Sequence, residues 1–266
     1  MALDRVILRF AQPGGSVALR ELTGFDEHLV EDTGTAAAIR LLDALVVSIP
    51  GSQAGRGAAA ELCASDRDRL LAAVYRRTYG DRIESTTQCR RCGSLFDLSF
   101  SLQELSASLE AQRNQEAAEL LPDGTFRLRG GGRFRLPTGR EECAVAELPP
   151  QEATRALRTS CVAEGEAELD PEALDGVLAQ VAPVLDLDLD ARCPECGQSQ
   201  TIHFDIQSYL LSALLKERRR FTTEVHRLAV AYGWSLHEIL SLRRSERRAF
   251  VELVEAEMPR RPRGAP

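Results

Sequence analysis

Two short stretches of the sequence repeat one another: Cys89-Arg90-Arg91-Cys92-Gly93 and Cys193-Pro194-Glu195-Cys196-Gly197. Each lies between segments that read as strands. Two residues between the cysteines put both sulfurs on one side of a tight turn, and the glycine that follows can take the positive φ that brings backbone N–H groups toward the thiolates. Each stretch is half of a tetrahedral site. Together Cys89, Cys92, Cys193 and Cys196 supply four thiolates, the number a closed structural zinc site requires. Because 100 residues separate Cys92 from Cys193, one shared Zn2+ would clasp distant parts of the chain. Redox-active dithiols are the main competing reading, but a thioredoxin-like CxxC opens a helix after a strand, and here another strand pattern follows each pair. Cysteines that merely pack fit two matched pairs least well.

The pattern around these turns predicts an α+β fold: a small antiparallel sheet region built from two CxxC zinc-knuckle hairpins, with flanking helices and a helical C-terminal region. Residues 1–80 read as mixed and mainly helical. Val6 to Phe10 suggests a strand, Pro13-Gly14-Gly15 a turn, and 18–27 has no clear period. Ile39, Leu42 and Val46 give a helix over 36–46, and 51–57 reads as a loop. Ser65 is a plausible N-cap for a helix that carries Leu70, Leu71, Val74 and Tyr75 and closes at Gly80.

Residues 81–206 form the sheet region. Phe96, Leu98 and Phe100 alternate with polar residues, 103–120 is polar with weak helical patterning, and Phe126, Leu128, Phe134 and Leu136 flank Gly130-Gly131-Gly132 as a hairpin. A helix from Pro150 to about Val162 follows, then a loop with Gly165. Asp170 caps a second helix with Leu174, Val177, Leu178 and Val181 on one stripe. Leu185, Leu187 and Leu189 alternate with Asp186, Asp188 and Asp190; strict alternation makes those aspartates a solvated strand face rather than a calcium loop. Ile202, Phe204 and Ile206 alternate beyond the second turn, leaving His203 on the outer face as a reserve zinc ligand.

Residues 207–258 read as helical, with Leu210, Leu214, Phe221, Val225 and Leu228 on one face. Ser235 and Glu238 make a capping box, and a last helix over 247–257 turns Phe250, Val251 and Val254 inward. Residues 259–266 read as a frayed tail.

Composition limits what such a chain does. Aromatics are 5% with one Trp, so the core must rest on Leu, Val, Ile and Ala. No run of about 18 apolar residues is present to span a bilayer, and the N-terminus has no export pattern, so a soluble, cytoplasmic protein is expected. Seven cysteines without such a pattern argue against a disulfide framework; Cys63, Cys143 and Cys161 read as small buried hydrophobes. The formal charge of −7 disfavours wholesale nucleic-acid binding. Between Lys216 and Arg248, however, nine Lys/Arg stand against four Glu. No phosphate loop, nucleophile elbow or HExxH helix is present, and His28, His203, His226 and His237 show no catalytic spacing. A non-enzymatic protein without a small-molecule substrate is expected.

Four further stretches, in order around the CxxCG turns, carry a resemblance: Leu19-Arg20-Glu21-Leu22-Thr23-Gly24; Tyr79-Gly80-Asp81-Arg82-Ile83; Arg135-Leu136-Pro137-Thr138-Gly139-Arg140-Glu141; and Tyr232-Gly233-Trp234-Ser235 with Glu238-Ile239-Leu240. From about residue 15 to 257 the chain resembles the baseplate hub assembly chaperone family of T-even-like phages and related phage-tail-like contractile injection systems. The resemblance implies an assembly chaperone or minor baseplate component, working in the cytoplasm of the producing bacterium and binding a hub or spike protein. Arg218, Arg219, Arg220, Arg243, Arg244, Arg247 and Arg248 are the expected contact surface, against the plainer reading of a solvated helix face. A nucleic-acid-binding zinc-ribbon regulator, with Arg90-Arg91 in the first turn, is the alternative, and a thiol oxidoreductase comes third.

Overall fold

The computed structural model describes residues 3–11, 15–49, 57–128, 131–162 and 171–257. The turn at Pro13-Gly14, the loop from Gly51, Gly130, the Gly165 loop, the Asp170 cap and the tail from Met258 lie outside them. The described chain is mixed helix and sheet, with small antiparallel sheets. Its elements run β1 (Asp4–Ile7), β2 (Ser16–Leu19), α1 (Gly24–Leu29), α2 (Thr35–Leu45), β3 (Val46–Ser48), α3 (Ala64–Tyr79), β4 (Arg82–Gln88), β5 (Leu95–Ser101) and α4 (Leu102–Gln112). Then come β6 (Ala118–Leu120), β7 (Phe126–Leu128), β8 (Arg133–Phe134), α5 (Gly139–Val145), α6 (Pro150–Cys161), α7 (Pro171–Val181), β9 (Asp186–Arg192), β10 (Ser199–Asp205) and α8 (Ile206–Lys216). The last part is α9 (Arg218–Tyr232), α10 (Leu236–Ser241) and α11 (Arg244–Glu257).

This order contains a repeat. A strand pair, helices, a CxxCG hairpin and a closing helix occur twice, as β1–β2 through α4 and as β7–β8 through α8. Over hairpin and closing helix the two copies keep a constant offset of 104 positions, and their hydrogen bonds match. Leu102 N donates to Asp81 O and Ile206 N to Leu185 O, both at 2.9 Å. Ser101 caps α4 by accepting from Glu104 N, and Asp205 caps α8 by accepting from Gln207 and Ser208 N. The equivalent residues Phe100 and Phe204 pack edge-on against each other with centroids 5.1 Å apart. A residue meeting its own counterpart is the mark of a two-fold relation.

A second repeated unit explains two of the conspicuous sequence stretches. Arg20-Glu21-Leu22-Thr23-Gly24-Phe25-Asp26-Glu27 and Arg135-Leu136-Pro137-Thr138-Gly139-Arg140-Glu141-Glu142 form the same box. The backbone N–H and the hydroxyl of Thr23 both donate to Asp26 Oδ2 at 2.7 Å, and those of Thr138 donate to Glu141 Oε2 at 2.9 and 3.0 Å. An arginine six residues upstream clamps each carboxylate: Arg20 on Asp26 at 2.6 and 2.8 Å, Arg135 on Glu141. The Arg135 bonds hold the Glu141 carboxyl down at about 2.

Each box docks on the start of another helix, Leu62-x-x-Ser65-Asp66-Arg67 or Leu242-x-x-Ser245-Glu246-Arg247. Thr138 bridges Cys63 and Thr23 bridges Arg243. The second acid of each box then takes the buried arginine of that helix, Glu142 with Arg67 and Glu27 with Arg247. Glycine is required at the joint in the first box, where a Cβ on Gly24 would lie 2.9 Å from Leu240 Cα.

The first turn of α3 is the hub of the larger core, and Ser65 is not its N-cap; Cys63 holds that position. The Ser65 hydroxyl donates to Pro183 O at 2.7 Å, Asp66 accepts the N–H groups of Arg9, Phe10 and Ala11 at 2.8, 3.0 and 2.9 Å, and Asp68 accepts that of Leu185 at 2.7 Å. Four consecutive buried polar side chains, Arg67 included, thus pin three remote segments. Such groups persist in an interior only when hydrogen-bonded.

Further differences from the sequence reading follow from such long-range pairing. The first strand ends at Ile7, and the unpatterned 18–27 region divides into β2 and α1. Residues 103–120 divide into α4 and the edge strand β6, whose partner β7 also stacks Phe126 on Phe134 of β8 at 5.1 Å. The single apolar face expected after residue 207 is split at Glu217. Leu210, Leu211 and Leu214 complete the main core, whereas Leu228 joins Ile239, Val251 and Val254 in a separate C-terminal core. The Ser235–Glu238 capping box stands as read. Cys63 and Cys161 are buried, and burial pushes their thiols up to about 12 and about 11; Cys143 is half-buried.

Candidate metal centre

Hairpins β4–β5 and β9–β10 pair in register from Arg82↔Ser101 to Gln88↔Leu95 and from Asp186↔Asp205 to Arg192↔Ser199. This leaves a CxxCG turn at each tip. Cys89 N donates to Ser94 O and Gly93 N to Cys89 O, both at 2.9 Å; Cys193 N donates to Gln198 O at 2.9 Å and Gly197 N to Cys193 O at 3.0 Å. Gly93 and Gly197 have φ of 76° and 71°, the left-handed conformation that residues with a side chain rarely adopt. Gln88 Nε2 and Arg192 Nε, at equivalent positions, donate to the carbonyls of Gly93 and Gly197.

The two-fold relation brings the tips together. Cys89 Sγ lies 3.6 Å from Cys196 Sγ, Cys92 Sγ lies 3.8 Å from Cys193 Sγ, and all four sulfurs fall within 4.8 Å of one another. Four sulfurs bound tetrahedrally to one ion at about 2.3 Å stand about 3.8 Å apart, so the cluster has the size of a one-metal site. Phe96, Ala191, Leu98 and Ile202 surround it. Gln200 of the second hairpin braces the first tip, accepting from Arg90 N at 2.9 Å and donating to Gln88 O at 3.2 Å.

The surroundings favour the thiolate at two of the four cysteines, Cys89 and Cys92. Backbone N–H groups of Cys92 and Arg91 lower the Cys89 thiol, and the Ser94 hydroxyl and N–H bring Cys92 down to about 6. At Cys196 the Gln198 N–H acts in the same sense, but desolvation and the neighbouring sulfurs outweigh it and push the thiol up to about 11. Thiolates so close repel one another, and a shared cation relieves that repulsion.

All four cysteines expected at the site converge there. His203 does not: its ring nitrogens lie 3.1 Å from Asp186 and 3.3 Å from Asp188 on the solvated face, where β-register fixes it, and it is no reserve ligand. The expected arginine surface is also corrected. Arg244 and Arg247 are buried on Glu27, Glu217 and Glu224, and Arg248 pairs with Glu217. Arg218, Arg219, Arg220 and Arg243 remain on the surface, Arg218 also donating to Val30 O.

Comparison with protein-family models, curated proteins and solved structures yields no match. No helix among the described residues is long and apolar enough to cross a membrane.

Proposed function

We propose that this chain is a non-enzymatic, zinc-clasped assembly factor that binds a hub or spike protein of a contractile baseplate. The observation that carries the clasp is the set of four sulfurs at tetrahedral spacing, supplied by turns about 100 residues apart in sequence. An all-thiolate tetrahedron favours zinc, with iron the competing ion, and it leaves no coordination position for water or substrate. Zinc held there joins the two halves of the repeat, and its binding energy becomes folding energy.

The assembly role is supported by the ordered stretches that resemble the baseplate hub chaperones. Arg20–Gly24 and Arg135–Glu141 serve as the docking boxes, and Ser235 with Glu238 caps α10. These residues act as joints of a scaffold, which suits a protein that works through its surface. The nucleic-acid alternative is weakened because Arg244, Arg247 and Arg248 of the basic segment are occupied by internal carboxylates.

Elemental analysis of the purified chain should find about one zinc per molecule. A variant with Cys89, Cys92, Cys193 and Cys196 all changed to Ser should lose the metal and cooperative unfolding together. Metal-free protein with alkylation-sensitive thiols would overturn the clasp. Co-expressed hub or spike proteins should co-purify with the chain, and reversing Arg218, Arg219, Arg220 and Arg243 should abolish that capture. Retention on heparin with no capture of either protein would overturn the assembly role.

A further inference from the structure

Strand β1 is the outer member of the β1–β2–β3 sheet, pairing with β2 alone. Leu8 N donates to Gly15 O at 2.8 Å, which makes that a hydrogen-bonded pair. The alternation of an antiparallel ladder then makes Val6/Val17 and Asp4/Leu19 bonded pairs and turns the N–H and C=O groups of Arg5 and Ile7 to the opposite side. That side has no strand among the described residues. It opens on a groove of about 700 Å³ between β1, α3, α4 and the segment at Pro183 to Leu185.

The groove combines an apolar floor with a positive rim. Val6, Ala72, Ala73, Leu109 and Leu185 line it, and Ile7 of the edge strand is 57% exposed. Around them stand Arg5, Arg9, Arg69, Arg76 and Arg77. Glu110 serves Arg9, Arg69 and Arg113 together, Arg76 takes Asp81 at 3.1 Å, and Arg77 takes Asp4 with Glu21 3.9 Å away. Arg5 has no ion-pair partner among the described residues. The third acid of the lining, Asp68, is buried and turned to the Leu185 N–H. Arg5 and the three arginines that share Glu110 therefore leave positive charge in excess along a backbone edge ready for pairing.

We infer that this groove binds an extended, acidic polypeptide segment of a partner protein, added as a strand to β1. Main-chain bonds to Arg5 and Ile7 supply the pairing, alternate apolar side chains cover the floor, and carboxylates meet the arginine rim. Four residues at about 3.3 Å each give an edge of about 13 Å, room for a segment of roughly four to six residues. The inference rests on the edge and its charge, and it stands whether or not the partner belongs to a baseplate.

The test uses the full chain and two labelled heptapeptide amides, Glu-Thr-Glu-Val-Glu-Val-Glu and its counterpart with every Glu replaced by Lys. Fluorescence anisotropy should show saturable binding of the acidic peptide at least tenfold tighter than the basic one. Arg5→Glu should weaken binding about tenfold. Ile7→Pro removes an N–H that faces the groove and none from the β2 ladder, so it should leave thermal unfolding nearly unchanged and abolish binding. Hydrogen exchange should slow at the Arg5 and Ile7 amides with peptide bound and stay constant at Val6. Equal binding of both peptides, binding indifferent to Ile7→Pro, or no binding would overturn the inference. So would concentration-dependent protection of Arg5 and Ile7 in the free protein, which would mean that a second copy covers the edge.

Discussion

Replacing Arg247 with methionine separates the buried ion network from the apolar contacts that hold α9–α11 to the rest of the chain. Arg247 is 1% exposed; its Nη2 donates to Glu27 at 2.5 Å, its Nε to Glu224 at 3.1 Å, and its guanidinium lies 4.8 Å from the Phe221 ring centroid. Methionine fills most of the same volume and removes both charged bonds. Glu27 keeps Arg244, but Glu224 is left with Arg220, a side chain largely in water, and with Arg248 at 3.9 Å. Removing one partner of a buried ion pair costs about 3–5 kcal/mol because the remaining charge is uncompensated. Glu224→Gln added to Arg247→Met should recover about 1–2 kcal/mol by neutralising that charge.

Urea unfolding followed by two probes reads this out. Trp234, the one tryptophan, stacks on Tyr232 at 4.7 Å and meets Phe250 edge-on at 5.0 Å, so its fluorescence reports the C-terminal core. Far-UV circular dichroism reports the whole chain. In the Arg247→Met variant the tryptophan transition should move to lower urea ahead of the dichroism. A loss below about 1 kcal/mol, or no recovery from Glu224→Gln, would refute the assignment of the network as the latch.

Gly24→Ala forces a Cβ to 2.9 Å from Leu240 Cα, which is backbone and cannot retreat, so overpacking of about 1–3 kcal/mol is expected; Gly139→Ala meets the ends of Arg67 and Ile39 and should cost less. Chemical denaturation of the two variants checks the order. Burial raises the Asp68 carboxyl from 3.8 to about 7. The folded state therefore keeps a proton that the unfolded state loses, and stability should fall by a few kcal/mol, on the order of 2–4, as pH rises from about 4 to 7. Asp68→Asn keeps an acceptor for Leu185 N–H without titrating, so its stability relative to the native chain should climb across that window; a flat difference would count against the raised carboxyl.

The four clustered cysteines are legible because CxxCG is local chemistry: the turn, the positive-φ glycine and the direction of the sulfurs all follow from five consecutive residues. The same holds for the Ser235–Glu238 cap and for the alternating strands beside each turn. Ser65 shows where local reading fails. A serine ahead of an apolar helical stripe has the chemistry of an N-cap, yet its hydroxyl is used on Pro183, 118 positions away. The pairs Thr23-Gly24 and Thr138-Gly139, and the Ser-acid-Arg triplets at 65–67 and 245–247, are the signal from which the docking joints could have been found. Each member is unremarkable alone, and only the matched recurrence of both sets marks them as complementary.

The sequence by itself determined the four-cysteine set, the hairpins that present it and the helical character of the C-terminal part, since turn chemistry and side-chain period act within a few residues. The tertiary structure alone decided that the two hairpins meet about a two-fold axis and that Arg244 and Arg247 face inward while Arg218 to Arg220 face out. A helical arginine carries the same charge and period in either place. Its burial depends on whether a carboxylate such as Glu27, 220 positions from Arg247, arrives to neutralise it.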